Sequence, residues 1–311
     1  MTYATLGMAG LLFSFQFVFS KWYQLRTDNS LSAALWMTVF DGAWLSAIFF
    51  AANGFSLHIT AFSARYAIYY SFFIIVCRVS ALFALRYGKV SLMTLFMLAG
   101  GLVLPVVYGV ATLGETLNIQ KGLALGLIFF SFFPGLVYKK ESVKKEEQKQ
   151  GNKRRCLFLY FIVFLSNGMV SVITKAHSIN VHAVPEKDFL IFAAFLRLVV
   201  GLLLIGMFTM REKPALALSF KHSQTEQNDR SKGFLYLFLI VGGYTLCNGF
   251  GNYFSMVTAK VMDSSFQFPI LSASVVVLTA LISWAIYKEK PSTGDTLGIL
   301  LNLGGIALMI I

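Results

Sequence analysis

Long apolar runs alternate with short polar links along this chain. A helix needs about 20 mostly apolar residues to cross a bilayer, and ten runs of roughly that length can be marked. They cover 3–20, 31–52, 66–85, 91–113 and 121–138, then 156–174, 188–210, 233–258, 264–287 and 296–311. Between the fifth and sixth lies the most polar stretch, KKESVKKEEQKQGNKRR over 139–155. Its charge density marks it as a solvated link. A second polar loop covers 211–232. The fold predicted is an all-α membrane protein with ten transmembrane helices.

Five helices, a linker and five more suggest duplication, with repeats over 1–138 and 156–311 and the basic linker 139–155 between them. The first helix of each half ends in a small residue and a lysine, Ser20-Lys21 and Thr174-Lys175. The third exits at a basic residue, Arg86 and Lys260, and the fourth ends at a glutamate, Glu115 and Glu289. Those last two pairs share one offset of 174 residues. An odd number of helices per repeat inverts the second copy relative to the first, and inverted repeats are a common plan of secondary transporters.

Composition agrees. Of 311 residues, 57% are hydrophobic and only 13% charged, with a mean hydropathy of +0.70. A chain this apolar would leave much of its oily surface in water as a soluble domain. A bilayer accepts that surface, and helices satisfy their own backbone groups there. The net charge of +12 does not point to nucleic acid, because 19 of the 26 Lys and Arg fall in the first, third, fifth, seventh and ninth links. Such clustering marks cytoplasmic loops and would place both termini outside. No cleavable signal pattern is read at the start, since Met1 is followed by no basic segment and the first apolar run continues as a full span. Cys77, Cys156 and Cys247 show no metal or disulfide spacing.

Charge near a bilayer centre costs several kcal/mol unless it is paired or lines water. Asp41, Arg78 and Arg197 sit near the middle of the second, third and seventh runs, and Asn167 near the middle of the sixth. Tyr244, Asn248, Asn252 and Ser255 recur at steps of four, four and three in the eighth, which places them on one helix face. Gly242, Gly243, Gly249 and Gly251 keep that helix thin enough for close neighbours or a ligand. Gln267 and Pro269 lie in the ninth, where the proline removes an internal hydrogen bond.

Two readings of these residues stand side by side. Asp41 either pairs with Arg78 or Arg197 to lock helices, or meets substrate or proton directly. The amide stripe is either interhelical glue or a wet cavity wall. The functional reading is a midplane site between the repeats, with Asp41, Arg78, Asn167, Arg197, Tyr244, Asn248 and Asn252 as candidate substrate-binding residues. Two arginines against one aspartate leave a surplus positive charge suited to carboxylate or phosphate. A carrier of lipophilic cations using Asp41 is the alternative. Lys21 and Lys175 are read first as interfacial anchors, and Glu115 and Glu289 as helix-end caps. The motifs G-x-S-x-G, H-E-x-x-H and a Walker loop are absent from the sequence, and no enzyme activity is expected. His58, His177, His182 and His222 fall in loops or at helix ends, so no metal site and no cofactor are expected.

Four stretches carry a family likeness. YGVATLGETLNIQKGLALGLIFF (108–130) pairs a Leu-Gly-Glu with a glycine-bearing helix; SSFQFPILSASVVVLTALISWAIYKEK (264–290) and GDTLGILLNLGGIALMI (294–310) repeat that pattern; FLRLVVGLLLIG (195–206) bears an arginine in a second helix. The chain thereby resembles the drug/metabolite transporter superfamily in its ten-helix, EamA-like branch. The resemblance implies helices one to four and six to nine around a central cavity, with the fifth and tenth peripheral. It also implies secondary transport of metabolites or drugs by alternating access, in an integral multi-pass protein expected in a bacterial inner membrane. The partners implied are the lipid bilayer, a small-molecule substrate and a coupling proton or exchanged solute, without nucleic acid. The sequence departs from the family pattern at Asp41, near where an arginine is usual. Family members are usually drawn with cytoplasmic termini, opposite to the charge count.

Overall fold

A computed structural model describes residues 2–27, 31–87, 90–134, 153–211, 227–288 and 293–311. Among these described residues, ten helices run in chain order: α1 Thr2–Arg26, α2 Leu31–Ala52, α3 Ala61–Tyr87, α4 Val90–Leu113, α5 Ile119–Phe130, α6 Lys153–Ser178, α7 Glu186–Arg211, α8 Gln227–Ala259, α9 Ser264–Tyr287 and α10 Thr293–Ile310. All except α5 are long and apolar enough to cross a membrane. Several extend past their apolar runs, α6 by three residues before Cys156 and α8 by six before Gly233. Interfacial Lys, Arg and Gln are good helix formers, so the backbone ladder continues where hydropathy ends.

The fifth helix corrects an expectation. Its apolar run reaches residue 138, yet regular helix stops at Phe130 and the backbone turns at Ser131 to Phe133. Pro134 follows. Proline disfavours helical geometry in the residue before it and has no N–H to extend the ladder. Ser131 closes the end by donating its Oγ to Ile128 O at 2.5 Å. Most of the linker, 139–152, and Glu289 lie outside the described residues. By contrast α9 stays helical through Pro269.

The helices pack mainly across the two halves. α1 lies on α8 and α3 on α6, α1 on α9 and α4 on α6, while α2 meets α7, α4 meets α9 and α5 meets α10. Exchanging each helix for its counterpart five places on leaves these pairings unchanged. Counterparts run antiparallel: Asn53, just past the end of α2, donates its Nδ2 to Asp188 in the first turn of α7 at 2.9 Å. Glu115, just past α4, accepts from the first backbone N–H groups of α9. The main core lies between the halves, with Leu45, Phe49, Tyr70, Phe189, Ala194 and Met256 buried together.

Close crossings rest on glycine. A Cβ at Gly100 of α4 would stand 2.0 Å from the Phe164 carbonyl oxygen of α6, and one at Gly168 would stand 2.6 Å from the Gly100 carbonyl oxygen. With no hydrophobic drive between helices in lipid, this backbone approach supplies packing energy.

Candidate functional site

The α2–α7 crossing creates the centre of the bundle. A Cβ at Gly42 would lie 2.8 Å from both Ala194 O and Leu198 N of α7, so the two backbones touch at this level. The neighbouring Asp41 is fully buried, and its Oδ2 accepts from Arg197 Nη1 at 2.9 Å. α3 brings Arg78, whose Nη2 donates to the same Oδ2 at 2.8 Å. α8 brings Thr245, whose hydroxyl donates to Asp41 Oδ1 at 2.9 Å. Asp41 is thus held by donors from both halves.

Arg197 is as buried as Asp41, and its Nε turns back to Ala193 O at 3.4 Å. Arg78 lies at the edge, with its side chain 15% exposed. Its Nη2 also reaches the Tyr244 hydroxyl at 3.4 Å, and its guanidinium carbon lies 5.6 Å from the Tyr244 ring centroid. Arg78 Nη1 has no hydrogen-bond partner among the described residues. Two guanidinium groups face one carboxylate, leaving one positive charge uncompensated within the group. A buried ion pair needs hydrogen bonds on its remaining donors to offset desolvation, and Nη1 is the donor left open.

The α8 stripe divides. Tyr244 joins the charged group. Asn248 donates its Nδ2 to Gln16 Oε1 of α1 at 2.6 Å. Asn252 donates to Asn248 O at 2.8 Å and accepts from the Tyr70 hydroxyl of α3 at 3.1 Å. Ser255 turns away to Gln267 of α9, whose Nε2 donates to Ser255 O at 2.7 Å and Thr258 Oγ1 at 2.8 Å. The stripe glycines admit side chains of α1 and α2: Phe19 at Gly243, Phe13 at Gly251, Trp44 at Gly242 and Leu45 at Gly249.

Of the candidate residues, Asp41, Arg78, Arg197 and Tyr244 come together, and Asn248 and Asn252 continue along α8. Asn167 is not among them. It faces α4, donating its Nδ2 to Met97 O at 2.8 Å. Sequence reasoning missed Thr245, Gln16 and Tyr70. Gln16 was findable, as an isolated amide in FSFQFVF by the rule that singled out Asn167. Thr245 and Tyr70 carried no such signal.

The end of the bundle bearing the start of α1 is tied by polar contacts. Glu115 Oε1 and Oε2 accept from the N–H groups of Ser264 and Ser265 at 2.7 and 2.8 Å. Gly114, at φ +69°, makes the turn that aims this carboxylate, using the left-handed region that favours glycine. Burial by itself would raise the Glu115 pKa; the Ser265 and Ser264 donors outweigh it and hold the carboxyl below its ordinary value. Lys175 is a correction, since it is not an interfacial anchor: it is only 5% exposed and donates to Ala259 O and Met262 O at 2.8 and 2.6 Å. Terminal helix carbonyls lack internal partners and favour a cation. Lys260 pairs with Glu186 at 2.5 Å. His177, buried at the end of α6, meets Ser63 Oγ at 3.0 Å, and no group of metal-binding side chains forms among the described residues. Toward the opposite end, a cavity of about 150 Å³ lies between α1 and α9, lined by Phe17, Lys21, Thr279 and Ser283 among others.

Comparison with known proteins adds two findings. The model of the EamA-like transporter family matches residues 154–311. A solved structure titled only as a crystal structure of a protein is similar in fold, with a TM-score of 0.70 at 15% identity, covering 99% of this chain and 95% of that one. No curated protein matches the sequence.

Proposed function

The chain belongs to the EamA-like transporter family, and on that premise we propose a secondary active transporter that moves a small polar metabolite across the membrane by alternating access. A membrane transporter of this family meets lipid and a small-molecule substrate; the mechanism and the site are our reading. One observation carries it: a surplus cation is buried midway along helices contributed by both halves. Charge at that depth is costly unless it is paired or lines a polar path. Here the pairing is incomplete: Arg78 Nη1 is buried without a partner among the described residues, on a guanidinium whose Nη2 reaches Tyr244 of α8. The substrate site in this reading comprises Arg78, Tyr244, Asn248 and Asn252, with Asp41 and Arg197 fixing the orientation of Arg78. The two repeats are the moving parts, and the ties at Glu115, Lys175 and Lys260 close the end that bears the termini.

A lipophilic-cation exporter would need Asp41 free to meet its cargo. Both arginines and Thr245 already occupy its oxygens, so the geometry favours the first reading. The test is solute counterflow in proteoliposomes with a panel of labelled polar metabolites. The expected result is saturable exchange that Arg78→Gln lowers at least tenfold. Absence of saturable flux for every polar solute, with folded protein in the vesicles, refutes the proposal.

A further inference from the structure

We infer that the substrate binds through a single oxyanion, a carboxylate or phosphate monoester carrying one negative charge, seated on Arg78 Nη1 with its remainder lying along α8. This rests on the transporter reading above and names its substrate class.

Charge comes first. Arg78, Arg197 and Asp41 sum to one net positive charge, and the charge of Asp41 is already met by both guanidinium groups, with Thr245 a third donor, all at 2.8–2.9 Å. One bound monoanion makes the group neutral. A neutral solute leaves the surplus, and a cation increases it.

Geometry comes second. Arg197 has 2% of its side chain exposed and Arg78 15%, so of the two guanidinium groups only that of Arg78 presents an edge. Its Nη2 is committed to Asp41 and Tyr244, while Nη1 is buried with no hydrogen-bond partner among the described residues and so has a donor to satisfy when the site opens to a solute. The planar fork of arginine matches an oxyanion better than a point charge does. Tyr244 beside it offers a hydroxyl hydrogen to the second oxygen.

The rest of the solute meets the amides of α8. Asn248 and Asn252 stand one and two turns beyond Tyr244, about 6 and 12 Å by helical rise. Their partners are Gln16 and Tyr70. All four are neutral hydrogen-bonding groups, suited to hydroxyl or amide substituents and lacking a second cation for a dianion.

Thermal unfolding of detergent-purified protein distinguishes the outcomes. The panel is lactate, gluconate, glycerol 3-phosphate, succinate, glucose and tetraphenylphosphonium, each on wild type, Arg78→Gln and Arg78→Lys. Ligand binding to the folded state raises the melting temperature by mass action. The expected result is stabilisation by lactate and gluconate, or by glycerol 3-phosphate at the acidic end of its second ionisation, with at least about tenfold weaker apparent affinity in Arg78→Gln. The carboxylate and phosphate arms decide between the two sources of the oxyanion. Arg78→Lys keeps the charge and loses the fork, so it falls between; it decides the matter if Arg78→Gln does not fold. Equal stabilisation of wild type and both variants overturns the inference, as does stabilisation by glucose or the cation alone, or by none of the panel. Stabilisation by glucose leaves the transporter reading intact, whereas loss of saturable counterflow for all solutes removes it.

Discussion

Removing the charge of Asp41 while keeping its shape probes the centre of this bundle most directly. In Asp41→Asn, two guanidinium groups face an amide whose nitrogen is itself a donor. The wild-type carboxylate accepts two charge-assisted bonds, at 2.8 and 2.9 Å, and a hydroxyl bond at 2.9 Å, with no solvent exposure. Taking one partner from a buried ion pair costs about 3–5 kcal/mol. Two charge-assisted bonds at about 1.5–3 kcal/mol each give a similar sum. That is roughly a hundred- to several-thousand-fold in the folded-to-unfolded ratio, at about 1.4 kcal/mol per decade. Denaturant titration in mixed micelles, followed by the fluorescence of the four tryptophans, measures it. The double variant Asp41→Asn/Arg197→Gln removes one of the two stranded cations. It is expected to recover about 1–2 kcal/mol relative to the sum of the single variants. Stability of Asp41→Asn within about 0.5 kcal/mol of wild type, or strict additivity in the double variant, refutes the claim that these charges form one coupled group.

The glycine crossing predicts that Gly100→Ala destabilises by about 1–3 kcal/mol or more, because its new Cβ would meet Phe164 O at 2.0 Å; Gly126→Ala, with open space around it, is the control, and equal melting temperatures for the two refute the argument. The Glu115 cap predicts a pH effect outside the membrane spans. Its folded-state pKa is depressed below 4.5, so its contribution is complete above that pH and lost as pH falls through the lower folded-state value. Glu115→Gln therefore flattens the acid limb of the stability curve, and an unchanged limb in melting scans counts against the cap. Asn167→Ala is expected to lose about 0.6 kcal/mol, the average for a membrane hydrogen bond, while leaving counterflow affinity unchanged; a tenfold affinity loss would return Asn167 to the site.

Hydropathy alone determined that the chain is helical and membrane-embedded. Lipid tolerates uninterrupted apolar helices and little else, so long apolar runs become helices, and only the fifth run breaks, at Ser131 among the described residues. The recurrence of Arg86 and Lys260, and of Glu115 and Glu289, at one spacing is what suggested a duplication in the sequence. Asp41, Arg78 and Arg197 were legible as important because an intramembrane charge stands out against any apolar background. Their partners were not. Asp41 lies 156 residues from Arg197 and 204 from Thr245, and nothing local in the sequence encodes which helix faces which. That was decided by where backbones can touch: Gly42 against Ala194 and Leu198 sets the α2–α7 crossing, and the charged group assembles around it. The same tertiary arrangement moved Asn167 to the α4 interface, gave Ser255 to Gln267 and turned Lys175 from a surface anchor into a cap on α8. Periodicity assigns a residue to a helix face. Only packing says whether that face meets lipid, a neighbouring backbone or the polar path between the halves.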